Sequence, residues 1–374
     1  MSRSRTVRVL LFADSHLGFD LPLDPRVERR RRGHDFLANH EGAVAYAREA
    51  KVDLIVHGGD VFDRPRVPPS LVYQAFRPLL EAAAGGIPVL VVPGNHERSR
   101  IPHRRFARHG KLHVFERPET VVLRVRGVRV ALAGFPYVRR GIRRGFSEVV
   151  RTTGWRDEAA DLRVLCMHHC VEGARVGPGD FTFRDAPDVV RGRDLPSGVA
   201  AVLSGHIHRP QVLERDLAGR DLPAPVVYPG SVERTSFAEI DEPKGFRLLD
   251  LEPTAGGGRL VRDRFVPLPA RPMVVREVRP AEGDGMRWTP RDLETRITAV
   301  VAGAPRDAVL RVRVHGHVPA EARAVVAASR LRRIAPPGMN LEVLLEEHRS
   351  RRRRPARRSS RPRSKPPSLF HRME

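Results

Sequence analysis

Five short segments of this chain carry hard donor side chains: Asp14-Ser15-His16, Gly58-Gly59-Asp60, Gly94-Asn95-His96-Glu97, His168-His169 and Gly205-His206-Ile207-His208. Carboxylate and amide oxygens with imidazole nitrogens, and no thiolate, suit manganese, iron or zinc better than calcium. The candidate ligands are Asp14, His16, Asp60, Asn95, His168, His206 and His208. They suffice for two divalent ions. Two ions ~3.5–4 Å apart clamp the attacking and leaving oxygens of a phosphoryl transfer and lower the pKa of a shared water. His96, beside Asn95, is placed to act as the acid that helps expel a leaving alkoxide. Any one of these fragments is ordinary loop chemistry. Five in one order, each after an apolar run, are not.

Local geometry can be anticipated from spacing. Asp14 and His16 stand two residues apart, as do His206 and His208, so an extended backbone would aim each pair one way as a clamp. Two glycines before Asp60 would let the backbone approach an ion closely. His169 points opposite to His168 and reads as structural. His57 reads as a buried, hydrogen-bonded histidine, and His34, His103, His109 and His113 as solvated ones. Cys166 reads as a core strand residue.

The donors must be held by strand ends. Val7–Phe12, Asp53–Val56, Pro88–Val92, Arg163–Met167 and Val199–Ser204 are apolar runs that each stop just before a donor segment. Helical patterns at Phe36–Ala50 and Ser70–Ala84, the second with Ser70 as N-cap, separate the first three. Strand, helix, strand at this spacing implies right-handed crossovers and a mostly parallel sheet. Val121–Arg126 and Val128–Gly134 form a hairpin about Gly127. Val226–Tyr228, Gly245–Leu251 and Arg259–Val266 complete a second set of strands, with a turn at Gly256-Gly257-Gly258. The expected class is α/β: two packed sheets with helices outside, a four-layer α/β/β/α sandwich over residues 1–268. After a linker at Pro267–Pro272, Met273–Val278, Pro290–Ala302, Ala308–His315, Ala320–Ile334 and Met339–Leu345 give a small α+β domain over 272–347. Residues 348–374 are an Arg-rich tail that cannot bury enough apolar surface to fold.

Composition bounds the partners. The formal net charge is +23, and Arg349–Glu374 holds 11 of the 67 basic residues and 1 of the 44 acidic ones. The excess is therefore not confined to the tail. Such a surface draws polyanions through phosphate contacts, while an arginine-biased genome would raise the charge without a binding role. No stretch reaches the ~18 apolar residues of a membrane span. Val7–Ala13 runs straight into Asp14 and His16, which reads as a first strand and not as a signal peptide. Two cysteines four apart make no disulfide framework and fit a reducing cytoplasm.

The five segments together resemble the calcineurin-like metallophosphoesterase superfamily. That resemblance implies one ion on Asp14, His16, Asp60 and His208 and a second on Asp60, Asn95, His168 and His206, with Mn2+ as the usual ion and Fe2+, Mg2+ or Zn2+ as alternatives. A narrower likeness rests on Phe12–Gly18, His57–Pro65 and the run Tyr228-Pro229-Gly230-Ser231-Val232-Glu233-Arg234-Thr235-Ser236-Phe237, with Glu239 and Lys244-Gly245-Phe246. These resemble the SbcD-type DNA repair exonuclease family. By that likeness the substrate is DNA, the activity that of a double-strand exonuclease and single-strand endonuclease, and the C-terminal domain a cap. Partners implied are an SbcC-like SMC-family ATPase and a second copy of the chain, although the segment after Leu345 shows no amphipathic helix for docking an ATPase. The Arg29–Arg32 run within Phe19–Arg32 would touch phosphates or be solvated. The alternatives are a phosphodiesterase or phosphatase for a small nucleotide or phosphoprotein, and a DNA-binding subunit without catalysis.

Overall fold

The computed structural model is described over residues 6–20, 30–103, 108–280 and 287–346. Arg29 and the tail from residue 347 onward lie outside the described residues, as does the expectation placed on that tail.

In chain order the first half runs β1 (Val7–Phe12), α1 (Arg32–Glu49), β2 (Leu54–His57), α2 (Pro69–Ala84), β3 (Val89–Val91), β4 (Leu112–Val114), β5 (Glu119–Val125), β6 (Val128–Gly134), α3 (Ile142–Thr152) and β7 (Leu162–Met167). Four two-residue strands follow: β8 (Cys170–Val171), β9 (Arg175–Val176), β10 (Phe181–Thr182) and β11 (Val189–Val190). Then come β12 (Val202–Ser204), β13 (Gln211–Arg215), β14 (Asp221–Tyr228), β15 (Gly245–Glu252) and β16 (Arg259–Pro267). The last stretch holds β17 (Met273–Val278), α4 (Pro290–Ala302), β18 (Val309–His315), α5 (Ala320–Arg323), α6 (Ala328–Ile334) and β19 (Asn340–Glu346).

Two six-stranded sheets result, ordered β16-β15-β1-β2-β3-β4 and β13-β14-β12-β7-β6-β5. In β1 the alternation of a strand sends Val7, Val9 and Leu11 one way and Leu10 and Phe12 the other. The first set packs with Leu132, Val164, Leu203 and Val227 from the second sheet. The other set packs under α1 and α2 with Phe36, Val44, Phe76 and Leu79. Outside the second sheet, Ile142, Phe146 and Val150 of α3 cover Leu165, Met167 and Val226. The layers are thus α/β/β/α. Parallel pairing sends the carboxyl ends of β1-β2-β3-β4 one way and those of β6-β7-β12-β14 one way within their own sheet, and bonds from Gly205 N–H to Gly58 O and from His206 N–H to Asp14 join the two rims.

Several sequence expectations shift. Helix α2 begins at Pro69 with Pro68 in the cap position, so Ser70 is inside the first turn and caps nothing. Proline suits that position because its missing N–H would be unpaired there anyway. Helix α3 was not anticipated. Its apolar positions do recur every four residues, but arginines crowd between them. The single helix expected over Ala320–Ile334 is broken: Ala324–Val326 tightens into a 3-10 turn and Ala327 is extended, with φ −61° and ψ 139°. Val325 and Leu331 both reach the core. Six residues apart, an unbroken helix would hold them on different faces, and the break re-aims the second.

Strands β17, β18 and β19 form a parallel three-stranded sheet with α4, α5 and α6 on one side. Thr289 caps α4 through the Asp292 N–H at 3.2 Å. Arg271 bolts this unit to the sandwich. Its buried guanidinium lies 2.6 Å from Asp35 of α1 and donates to the Gly338 carbonyl at 2.8 Å and the Asp307 carbonyl at 3.1 Å. Of the described arginines of the Arg29–Arg32 run, Arg30 is exposed, Arg31 and Arg32 are half-buried, and all three are ion-paired. Arg30 pairs with Asp35 at 2.8 Å and Arg31 with Asp20 at 3.4 Å. Arg32 lies over Phe19 and Phe36 while pairing with Glu233 at 3.8 Å.

Candidate metal centre

All five donor segments follow the carboxyl end of a strand: β1, β2, β3, β7 and β12. Hydrogen bonds knit these turns together. The N–H of Asp14 donates to Gly59 O (2.8 Å), that of His16 to Asp60 O (3.1 Å) and that of Gly205 to Gly58 O (3.2 Å). Asp60 Oδ1 accepts from His96 N–H at 2.9 Å, and both Asp14 oxygens accept from His206 N–H at 3.1 Å.

The side chains converge. His168 Nε2 lies 3.2 Å from Asp60 Oδ2 and 3.0 Å from Asn95 Oδ1, and His206 Nδ1 is 2.9 Å from the same amide oxygen. His16 Nε2 and His208 Nε2 face each other at 3.1 Å. Three groups of donor atoms lie within 4.8 Å of one another: Asp14, His16 and His208; Asp14, Asp60 and His168; and His16, Asp63 and His96. The structure therefore brings together all seven residues singled out from sequence, and His96 with them. The pairs two residues apart are not extended clamps, however. Asp14, His16 and His206 have φ of 51°, 41° and 80°, and His206 and His208 diverge to different partners. Gly58 and Gly59 also answer to packing between the donor turns. A Cβ on Gly59 would stand 2.2 Å from His168 Nδ1, so this glycine clears room for a donor ring.

Tautomers follow from the outer hydrogen bonds. His168 Nδ1 is 2.8 Å from the Gly58 carbonyl, which can only accept, and His208 Nδ1 is 3.0 Å from a Glu239 carboxylate oxygen. In the neutral rings both Nε2 atoms therefore turn lone pairs inward. His96 Nδ1 is likewise tied to the Asp63 carbonyl at 2.7 Å, which leaves Nε2 3.9 Å from Asp60 Oδ2. An enclosure with two buried carboxylates, an amide oxygen and inward imidazole lone pairs has more acceptors than the protein's donors satisfy. Cations fit it. The electrostatics show the pull of these carboxylates on positive charge, whether it sits on a cation or on the His168 ring. Burial opposes ionisation of Asp60, yet His168 outweighs it and holds the carboxyl well below its ordinary range. Burial likewise disfavours a charged His168, but Asp60 and Asp14 carry it up to about 9. His206 falls to about 3 through burial and the neighbouring His168.

Sequence reasoning assigned no role to several residues that matter here. Glu97 is buried and spans two donor turns, accepting from Phe62 N–H at 2.8 Å and Gly94 N–H at 2.7 Å. Burial, then Asp60, pushes its carboxyl up to about 8. Asp63 Oδ1 lies 3.5 Å from His16 Nδ1. The adjacency of Glu97 and Asp63 to donor segments was the available signal. His57 is buried and bonded, as expected, and belongs to a longer chain. Gly59 N–H donates to His57 Nδ1 (3.2 Å), His57 Nε2 meets Ser15 Oγ (2.8 Å), Ser15 Oγ meets His40 Nδ1 (3.0 Å), and His40 Nε2 meets Ala75 O (2.9 Å). With a backbone donor at one end and a backbone acceptor at the other, only one proton order satisfies every link. His169 accepts from Val138 N–H at 3.0 Å and stacks on Tyr137, a structural role. His103 is buried against Phe76, contrary to the solvated reading, and His113 is half-buried beside Glu119. His34 and His109 are exposed. Cys166 is a fully buried strand residue.

A four-layer sandwich that gathers Asp, Asn and His donors at the shared carboxyl rim of its sheets defines a protein of the metallophosphoesterase class. The chain belongs to the calcineurin-like phosphoesterase family, whose profile matches residues 7–210. It is 28% identical over 299 residues to the DNA double-strand break repair protein Mre11 of Methanopyrus kandleri, covering 75% of this chain and 60% of that protein. To the Mre11 protein of Haloferax volcanii it is 34% identical over 295 residues, covering 75% of this chain and 56% of that protein. To the SbcD component of the SbcCD nuclease of Bacillus subtilis it is 27% identical over 286 residues, 66% of this chain and 67% of that protein. The chain thus spans less than two thirds of the length of these two Mre11 relatives. Among the described residues no helix is long and apolar enough to cross a membrane.

Proposed function

We propose that this chain is a metal-dependent nuclease that hydrolyses phosphodiester bonds in DNA, of the double-strand exonuclease and single-strand endonuclease kind, and serves DNA repair. The convergence of Asp14, His16, Asp60, Asn95, His168, His206 and His208 in one buried enclosure carries the reading. Likeness to proteins named for double-strand break repair supports DNA as the substrate, as does the formal charge of +23. One ion would take Asp14, His16, Asp60 and His208 and the other Asp60, Asn95, His168 and His206, with Asp60 shared. The facing pair His16–His208 supports the first set, and the approach of both His168 and His206 to Asn95 Oδ1 supports the second.

Two divalent ions, Mn2+ in this reading, would supply Lewis acidity and a nucleophilic water at neutral pH. The chain's own residues do the rest. His96, anchored through Nδ1, holds Nε2 over the donors, where the imidazolium form can pass its Nε2 proton to the leaving alkoxide and remain the neutral ring. Glu97 fixes the two turns that present Asp60 and Asn95. Exposed Arg64, Arg66, Arg98 and Arg100 continue those same turns and would meet flanking phosphates. In this reading residues 1–268 form the nuclease, 272–347 a cap over DNA and 348–374 a basic extension. An SbcC-like ATPase and a second copy of the chain are its partners, and the cytoplasm is its compartment.

Incubation of the protein with linear duplex and hairpin DNA in Mn2+ should degrade both, and a chelator or Asp60→Ala should abolish the reaction. Turnover of a small phosphodiester with DNA left intact under the same conditions would refute the proposal.

A further inference from the structure

The run Tyr228–Phe237, with Glu239 and Lys244, supplies none of the seven donors, yet it closes around one of them. Glu239 ends the one-turn 3-10 helix Phe237–Glu239. Its Oε1 lies 3.0 Å from His208 Nδ1, and Thr235 Oγ1 donates to the same oxygen at 2.6 Å. Lys244, with a side chain 0% exposed, sits 2.6 Å from Glu239 Oε2 and donates to the His208 carbonyl at 2.9 Å. His208 is therefore gripped at its ring by a carboxylate and at its backbone by an ammonium, and the two are paired with each other. Burying such a pair is costly unless geometry and hydrogen bonds compensate. Here both partners reach one donor residue, with Thr235 and Glu242 completing their contacts.

The same turn is supported from the C-terminal sheet. The Arg311 guanidinium of β18 lies 3.9 Å from the centroid of the Phe237 ring. It is held in that place by Glu342 of β19, whose Oε2 accepts from Nε at 2.9 Å and stands 2.8 Å from Nη2. A planar cation fixed over an aromatic face resists displacement of that ring. Phe237 opens the turn that Glu239 ends, so the brace lies two residues from the carboxylate it steadies.

We propose that Glu239 and Lys244 are positioning residues for His208 as a metal ligand, and that Arg311 braces them through Phe237. The C-terminal sheet then helps to shape the ion site formed by Asp14, His16 and His208. This inference rests on the metal-site reading above and assigns a task to a sequence run that contributes no donor of its own. Outer partners of metal-bound histidines typically change affinity ~10–100-fold when removed.

Calorimetric titration of the full chain with Mn2+, together with the electron paramagnetic resonance signal of free Mn2+, tests it. Wild type should bind two ions; failure to bind any would refute the metal-site reading itself. Glu239→Gln should keep one site at wild-type affinity and weaken the other ~10–100-fold. Arg311→Ala should weaken that same site several-fold, while Arg313→Ala, whose guanidinium pairs with Glu346 instead, leaves both unchanged. Two unaltered sites in a folded Glu239→Gln protein would overturn the clamp. If that variant does not fold, Glu239→Gln/Lys244→Met removes the Glu239–Lys244 pair together, leaves Glu242 on Arg209 at 3.0 Å, and carries the same expectation. Equal effects of Arg311→Ala and Arg313→Ala would overturn the brace.

Discussion

At the scale of single residues, the donor set is held in a backbone conformation that its residue types resist. Asp14, His16, Asp60 and His206 have φ of 51°, 41°, 52° and 80°. For residues other than glycine the left-handed region costs roughly 1–2 kcal/mol each, and such strain concentrates at sites whose surroundings over-determine the backbone. The surroundings here are the cross-turn hydrogen bonds and the glycines that clear space for donor atoms. Gly59→Ala is the informative test, since its Cβ would fall 2.2 Å from His168 Nδ1 at a φ of +111°. It should lower kcat/KM on DNA by about 100-fold, the scale of an ångström-sized misplacement. Gly127→Ala shares the positive φ, at +82°, but its Cβ would meet nothing within 4 Å. That control should lose ~1–2 kcal/mol of stability and keep its activity. Equal activity losses in the two variants would mean that strain alone, and not the His168 ring, makes Gly59 necessary.

At the scale of elements, α1 and α2 do more than cover a sheet. His40 of α1 takes Ser15 on one ring nitrogen and the α2 carbonyl of Ala75 on the other, so the helices reach the donor turns through a buried polar chain. Burial drives the His40 imidazole down to about 4 from its ordinary 6.5. The unfolded chain therefore binds a proton at a pH where the folded chain does not. The neutral ring contributes its full stability above about pH 6.5 and loses it as pH falls toward 4, on the order of 3 kcal/mol in all. Urea unfolding between pH 7.5 and 5 should show wild type losing more stability than His40→Gln does, because other groups titrate equally in both proteins. Identical losses would rule this role out. The elements themselves were largely legible. Fully buried parallel strands such as β2 and β3 read as short apolar runs, and their donors follow at once. Helix α3 was hidden because only Ile142, Phe146 and Val150 are buried among its charged neighbours. The site's composition was legible for the same reason that its geometry was not. Residue type shows which atoms can bind an ion, whereas the left-handed turns and the Glu239–Lys244 clamp depend on contacts between segments far apart in sequence.

At the scale of the whole molecule, charge separates what the arginines do. The 67 basic residues overstate the free positive surface, since Arg30 and Arg271 are paired with Asp35, Arg209 with Glu242, and Arg330 with Glu294, and the formal +23 is what remains once the acidic residues are counted. In the proposed function, the exposed arginines expected to bear on DNA are those whose position ties them to the reaction. Arg64, Arg66, Arg98 and Arg100 flank the donors, while Arg349–Glu374 carries 11 basic residues and 1 acidic one at the far end of the chain. Each phosphate contact adds about 0.9 to the slope of log affinity against log salt on duplex DNA. Replacing the four rim arginines with alanine should therefore flatten that slope by up to ~4 and also lower turnover, because those contacts orient the scissile bond. Deleting Arg349–Glu374 should flatten the slope while leaving kcat on saturating DNA intact, since phosphate contacts that do not change during the reaction bind ground state and transition state alike. Fluorescence anisotropy on a labelled duplex in chelator gives the slopes free of cleavage, and Mn2+ turnover at saturating DNA gives kcat. If both variants keep the wild-type slope, the positive charge reflects composition and not recognition. If only the tail deletion flattens it, the rim arginines have no part in holding DNA over the metal centre.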